Sequence, residues 1–183
     1  MISHSQVNRF MTRSALISLG AMACATSLSS LTVAAPSSVP DKVAACYPKV
    51  PPVSNASISN VVKERQNTYY LLSSDQSEGG SDLLISVDSS NRCSLLLFNP
   101  MGDPLPLSRF VPVSVARQFA LQQAKQGLSE AGSRQAYARQ IARVKIWTPE
   151  EQWAVQELGF ALPKDIQVIA PEDVKVSPEQ GTP

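Results

Sequence analysis

"DLLISVDSSNRCSLLLF", residues 82–98, is the stretch whose reading decides the fold. Two runs of strand-forming residues, 82–88 and 92–98, flank Ser89, Ser90 and Asn91, a gap of hairpin length, so an antiparallel pair is expected. After Ser94, "SLLLF" is apolar at every position instead of alternating. That predicts a strand covered on both faces and central in its sheet. Upstream, "SISNVVKERQ" (57–66) and "TYYLLSS" (68–74) are two more β-prone runs, with Asn67 as the turn residue between them. The connection "SDQSEGGS" (74–81) is rich in Gly, Ser and acid and reads as a solvated loop. Four successive strands with short connections predict an antiparallel meander. Tyr69 and Tyr70 are adjacent on a strand and must point to opposite faces, so at most one is expected in a core.

The pattern changes at "NPMGDPLPLSRFVP" (99–112), where four prolines and a glycine mark the crossover from strands to helices. In "SVARQFALQQAKQG" (114–127) Ala116, Phe119, Ala120 and Ala124 share one side, predicting an amphipathic helix capped by Ser114 and ended by Gly127. "SRQAYARQIARVK" (133–145) places Tyr137, Ile141 and Val144 on one face, with Arg139 and Arg143 on another. "WTPEEQWAVQELG" (147–159) carries the full set of helix-end devices: Thr148 as N-cap, Pro149 at the first helical position, Glu151 closing a capping box and Gly159 as the stop. The expected fold is α+β, a four-stranded antiparallel meander followed by three α-helices packed on one sheet face.

The N-terminus sets the expected compartment. Residues 1–13 hold Arg9, Arg13 and no acid, and from Ser14 to Ala35 no charge occurs. A basic start, an apolar middle and a small-residue exit are the parts of a secretory leader. Thr32-Val33-Ala34 suits cleavage, giving a signal peptide over 1–34, an extended Pro- and Ser-rich arm over 35–56, a single α+β domain over 57–170 and a flexible tail over 171–183. A lipid anchor on Cys24 fits poorly, because Ala21 and Met22 stand where that signal needs a large aliphatic and a small residue. The run is long enough to cross a bilayer but is interrupted by hydroxyl residues, so no stable membrane span is expected after processing. The reading is of an exported protein, in a periplasm, a thylakoid lumen or the extracellular space. The remaining 149 residues can bury a sizeable core.

Export makes Cys46 and Cys93 an even pair in an oxidising compartment, so a disulfide is expected between them. The sole histidine, His4, leaves with the leader. Without an imidazole the chain has no Ser-His-Asp or Cys-His site and lacks the commonest zinc ligand. Glycine-rich phosphate loops and the GxSxG elbow are absent too. No catalytic, cofactor-binding or metal-binding residues are therefore assigned, and a non-enzymatic role is expected. The alternative is a small carbohydrate-active hydrolase working with two carboxylates, with Asp82 or Asp88 near the strand ends as candidates.

Charge is segregated. From Arg109 to Lys145 there are seven cations, with Glu130 the lone anion, and from Ile146 onward two cations stand against seven anions. One reading is neutralisation of the basic helices by the chain's own acidic segment. The sharper reading is a docking face for an acidic protein or an anionic lipid surface, built on Arg134, Arg139 and Arg143 with Trp147 and Trp153 beside them. Nucleic acid is not expected, since the compartment is wrong and stacking residues are few.

The order of strands, then "VARQFALQQAKQGLSEAGSRQAYARQ", then "TPEEQWAVQELGFALP", resembles exported cyanobacterial proteins of unassigned function over residues 68–170. The resemblance implies export and one α+β domain. It carries no catalytic residue.

Overall fold

The computed structural model describes Val43, Cys46 and residues 56–74, 81–99 and 103–174. The expected leader, most of the arm and the end of the tail lie outside the described residues. Strands β1 (Ala56–Glu64), β2 (Asn67–Ser74), β3 (Ser81–Val87) and β4 (Cys93–Asn99) form an antiparallel sheet in the order β1-β2-β3-β4. Helices α1 (Val113–Glu130), α2 (Arg134–Ile141) and α3 (Pro149–Glu157) follow, and α1 packs on the sheet. The fold is α+β, as the sequence predicts.

Two tight connections set the register. Between β1 and β2 the chain turns on Arg65 and Gln66, with Arg65 at φ 52°, and Asn67 pairs with Glu64 as the first residue of β2. The turn therefore falls earlier than the asparagine that was expected to make it. Between β3 and β4 the Asp88 carboxylate accepts the backbone N–H groups of Ser90 and Arg92 at 2.8 and 2.9 Å. The Arg92 Nε donates to the same carboxylate at 2.8 Å, and Asn91 takes the left-handed conformation, φ 58°, that asparagine tolerates.

Because side chains alternate along a strand, the register sorts the sheet into two faces. Val62, Tyr69, Leu71, Leu84 and Leu97 point to the helix side and meet Val115, Ala116 and Phe119 of α1. Tyr70, Leu72, Leu83, Ile85 and Val87 point to the far side and form a second core with Val43, while Cys46, Ile58, Cys93, Leu95 and Phe98 pack against it. Both tyrosines are thus buried, Tyr69 to 7% and Tyr70 to 8% exposure. The expectation that only one could enter a core fails because the sheet has two. The "SLLLF" run is covered on both faces as expected, by Leu96 and Leu97 on the helix side and Leu95 and Phe98 on the far side, but β4 is an edge strand and not a central one.

The far face is tied to the chain upstream of β1 by the expected disulfide, Cys46–Cys93, which closes a separation of 47 residues. A loop of that length removes chain entropy worth about 4 kcal/mol from the unfolded ensemble in the entropic model.

Helix α1 is longer than its sequence signals suggest. Pro112 precedes it, and Ser114, expected as its cap, lies inside and donates to Glu64 of β1. Gly127, expected as its end, lies in its interior, where a Cβ would come within 3.1 Å of the Tyr137 ring. The glycine is there to let α2 approach. The chain turns instead at Gly132, φ 70°. Ser133 caps α2 by accepting from the Ala136 N–H, and α2 stops at Ile141, short of the predicted 145. Alanines 120, 124 and 154 let α1 and α3 lie close, with Trp153 packed against them. α3 begins as predicted: the Thr148 Oγ1 accepts the Glu151 N–H at 3.3 Å and the Glu151 carboxylate accepts the Thr148 N–H at 2.8 Å. Gly159, φ 77°, follows its end.

The short strands β5 (Ile146–Trp147) and β6 (Gln167–Val168), not anticipated from sequence, pair in parallel across α3. They bring the segment after Pro163 back over Trp147, with Ile169 donating its N–H to the Trp147 carbonyl at 2.9 Å. Residues Pro171–Asp173, placed at the start of the expected tail, form a 3-10 turn.

Leu83 and Leu84 are neighbours in sequence, both 0% exposed, and belong to different cores. Leu83→Ala and Leu84→Ala should each destabilise by about 2–5 kcal/mol in urea unfolding. A sheet with one solvated face would give a large loss for Leu84→Ala alone.

Candidate functional site

The basic segment is the first candidate, and the structure divides it by use. Arg134, at the start of α2, donates through Nη2 to the carbonyls of Leu158 and Gly159 at 2.9 and 3.5 Å and lies 4.2 Å from the centre of the Phe160 ring. It caps the electronegative end of α3, a favourable place for a cation. Arg117 sits over Trp153 at 5.2 Å. Trp147 is 3% exposed and donates its indole N–H to the Val144 carbonyl at 3.1 Å. It joins Tyr137, Ile141 and Val155 in a core of its own. Trp153 is half-buried in the α1–α3 seam. Of the five residues suggested as a partner-binding set, Arg134, Trp147 and Trp153 thus serve the packing of the helices.

Arg139 and Arg143 remain exposed. They follow one another at a spacing of four on α2 and its terminal turn, with exposed Ala138 and Ala142 beside them and exposed Lys145 just beyond. Small neighbours leave the guanidinium groups open to approach. Among the described residues the ion pair found within 4.0 Å is Arg92–Asp88, at the β3–β4 turn. Among the described residues the cations of the basic segment make no such pair with the acidic C-terminal stretch.

A second polar grouping emerges from the sheet register. At the end of the helix-facing side, Ser73, Asp82 and Asn99 come into line on β2, β3 and β4, while Asn60 of β1 stands opposite Leu71, two residues along. Ser73 donates to the Asp82 carboxylate at 2.8 Å, and Asn99 Nδ2 donates to the Asp103 carbonyl at 2.8 Å. Asn60 is buried, and its Oδ1 has no partner. Burial pushes the Asp82 carboxyl above its ordinary range, opposed by the Ser73 hydrogen bond. Asp88 moves the other way, held down first by the Arg92 backbone N–H. The sequence offered Asp82 as a candidate, but Ser73 and Asn99 lie on two other strands and join it only once pairing is known. Asp82 and Asp88 lie six residues apart on one extended segment, about 20 Å. They cannot serve together as the carboxylate pair of a hydrolase, which needs about 5–10 Å.

A third grouping lies at the N-terminus of α3. Glu150 is 3% exposed; its Oε1 accepts the Ser108 N–H at 3.0 Å, and its Oε2 has no partner. Beside it is a cavity of about 40 Å³ lined by Gln123, Thr148, Glu150, Glu151, Leu105 and Ala120. That space suits a water molecule and is far below the several hundred Å³ of a small-molecule site. Glu151 is pushed up by burial, against its hydrogen bonds with Thr148, and further by the neighbouring Glu150 charge. Its side chain is committed to the capping box. Among the described residues no three His, Cys, Asp or Glu side chains cluster as a metal site, and no helix is long and apolar enough to cross a membrane.

No family model, curated protein or solved structure matches the chain.

The raised Asp82 carboxyl has a consequence with a definite sign. A carboxyl whose folded-state pKa is raised contributes stability that is complete below the unfolded-state value, about 4, and is lost as pH rises through the folded-state value. Asp82→Asn keeps a hydrogen-bonding partner for Ser73 and removes the charge. In urea unfolding from pH 3.5 to 7, the variant should gain on the wild type as pH rises and lose that advantage below about pH 4. Parallel curves would mean that Asp82 is solvated in the folded protein.

Proposed function

We propose that this protein is an exported, non-enzymatic accessory protein that docks on an acidic partner through the exposed basic face of α2. The observation that carries the reading is the group Arg139, Arg143 and Lys145: three exposed cations, flanked by small residues, with no carboxylate within ion-pair distance among the described residues. A protein with no use for such a face can solvate it. A docking face gains from it, because unpaired charge of one sign steers an oppositely charged surface into contact. Arg134 and Phe160 fix α2 against the end of α3, so the face is presented on a held helix. Export is supported by the leader-like N-terminus and by the Cys46–Cys93 disulfide, which belongs to an oxidising compartment. The resemblance to exported cyanobacterial proteins agrees with that compartment.

The test uses protein recovered from its native host, whose chain is expected to begin near Ala35 by intact mass. An Arg139→Ala, Arg143→Ala, Lys145→Ala variant is compared with the wild type, leaving Arg134 in place because it holds α3. Wild type should be retained on vesicles containing anionic lipid, or on an acidic protein partner from envelope extract. Retention should fall at least tenfold in the variant and weaken as salt shortens the range of the charges, about 8 Å at physiological ionic strength. Equal, salt-independent retention of the two proteins would remove the basic face from the account.

A further inference from the structure

The cavity at the start of α3 contains a group that the fold itself does not satisfy. Glu150 is 3% exposed, and with its Oε1 accepting the Ser108 N–H, its Oε2 is left buried without a partner. A buried carboxylate oxygen in that state is costly and calls for a donor from outside the chain. The Glu151 side chain lines the same cavity, and among the described residues no Lys or Arg comes within ion-pair distance of either. The start of a helix contributes only about half a positive charge, less than two carboxylates carry. The cavity is therefore short of both a hydrogen-bond donor and positive charge.

We propose that this cavity is a receptor for a primary ammonium group, carried by a small alkylamine or by a lysine side chain. Its wall has two characters that match the two parts of such a group. Glu150, Glu151 and Gln123 supply oxygens, and the Gln123 amide bonds no other protein group among the described residues. Leu105, Leu107 and Ala120 make the rest of the wall aliphatic. The ammonium donates to Glu150 Oε2 and to the Gln123 carbonyl oxygen, with Glu151 adding to the negative charge, and the first methylenes lie against the aliphatic side. The volume of about 40 Å³ is about three times what a single water requires. It takes an ammonium nitrogen and the carbons next to it, and it excludes a whole ligand. Gln123 and Glu151 are only half-buried, which places the way in on their side. A calcium ion would need about six to eight oxygens, more than this half-aliphatic wall offers. A water molecule can donate to Oε2 but brings no charge. The site is separate from the basic face of α2, which attracts groups of the opposite sign.

The experiment follows the methyl signals of Leu105, Leu107, Ala116 and Ala120 by nuclear magnetic resonance while propylammonium chloride is added at constant ionic strength. In the wild type these signals should shift and saturate. Sodium, and tetramethylammonium, which has no N–H and is too wide, should leave them in place. Glu150→Gln keeps an acceptor for the Ser108 N–H and should weaken binding about tenfold or more, the worth of a hydrogen bond to a charge. Gln123→Leu changes only a half-buried side chain, so it should fold normally and weaken binding by a smaller factor. A lysine-containing peptide and its Nε-acetylated form separate the two sources. Saturation by propylammonium shows that a free amine suffices, and saturation by the unacetylated peptide alone assigns the site to a partner's lysine; either supports the proposal. Three results would each overturn it: no saturable shift with either probe, shifts matched by sodium or tetramethylammonium, and undiminished affinity in Glu150→Gln.

Discussion

Two central strands that are apolar on both faces impose the constraint from which the rest of this fold follows. β2 sends Tyr69 and Leu71 one way and Tyr70 and Leu72 the other, and β3 does the same with Leu84 against Leu83 and Ile85. A sheet of this kind cannot leave either side in water, because burying each such side chain is worth about 1.5–3 kcal/mol. Two covers are needed. On one side α1 lays Phe119, Val115 and Ala116 across the strands. On the other, the chain before β1 supplies Val43, and the disulfide to Cys93 holds it there by removing chain entropy from the unfolded ensemble.

The helix side carries a hierarchy of fixings that ends at the exposed face of α2. α1 is held by the sheet, and α3 is held by α1 through the alanine seam. α2 is held twice through its first half: Tyr137 packs against Gly127 of α1, and Arg134 reaches the carbonyls that end α3. The parallel β5–β6 pair closes over Trp147 and keeps the chain after α3 on the same side. Of the cations from Arg134 to Lys145, Arg139, Arg143 and Lys145 are the ones left exposed without an ion pair among the described residues. A cation used in packing and a cation left for a partner are thus separated by geometry, although they stand five to eleven residues apart in one basic run.

Much of this was legible before any coordinates. The strands and α3 could be read because their signals are local: alternating or β-branched runs, a hairpin-length gap, and a capping box whose members lie three residues apart. What was misread depends on contacts distant in sequence. Gly127 looks like a helix stop until Tyr137 is placed against it, and only then does its missing Cβ make sense. The "SLLLF" run has the composition of a central strand, but Val43 and Cys46, about fifty residues earlier, explain it at an edge. Arg134, Arg139 and Arg143 are indistinguishable as letters; Arg134 is set apart by carbonyls 24 and 25 residues further on. The same holds for the polar end of the sheet, where Ser73, Asp82 and Asn99 are aligned by register alone.

The claim on which the account turns is that the sheet has a second, closed core with Val43 in it. Methyl-labelled protein in the oxidised state gives the most direct view. Nuclear Overhauser contacts should connect the Val43 methyls with far-face side chains such as Tyr70, Leu83 or Ile85, with none to Phe119 on the helix side. Val43 methyls at random-coil shifts, without a contact to any strand residue, would contradict the two-cored sheet.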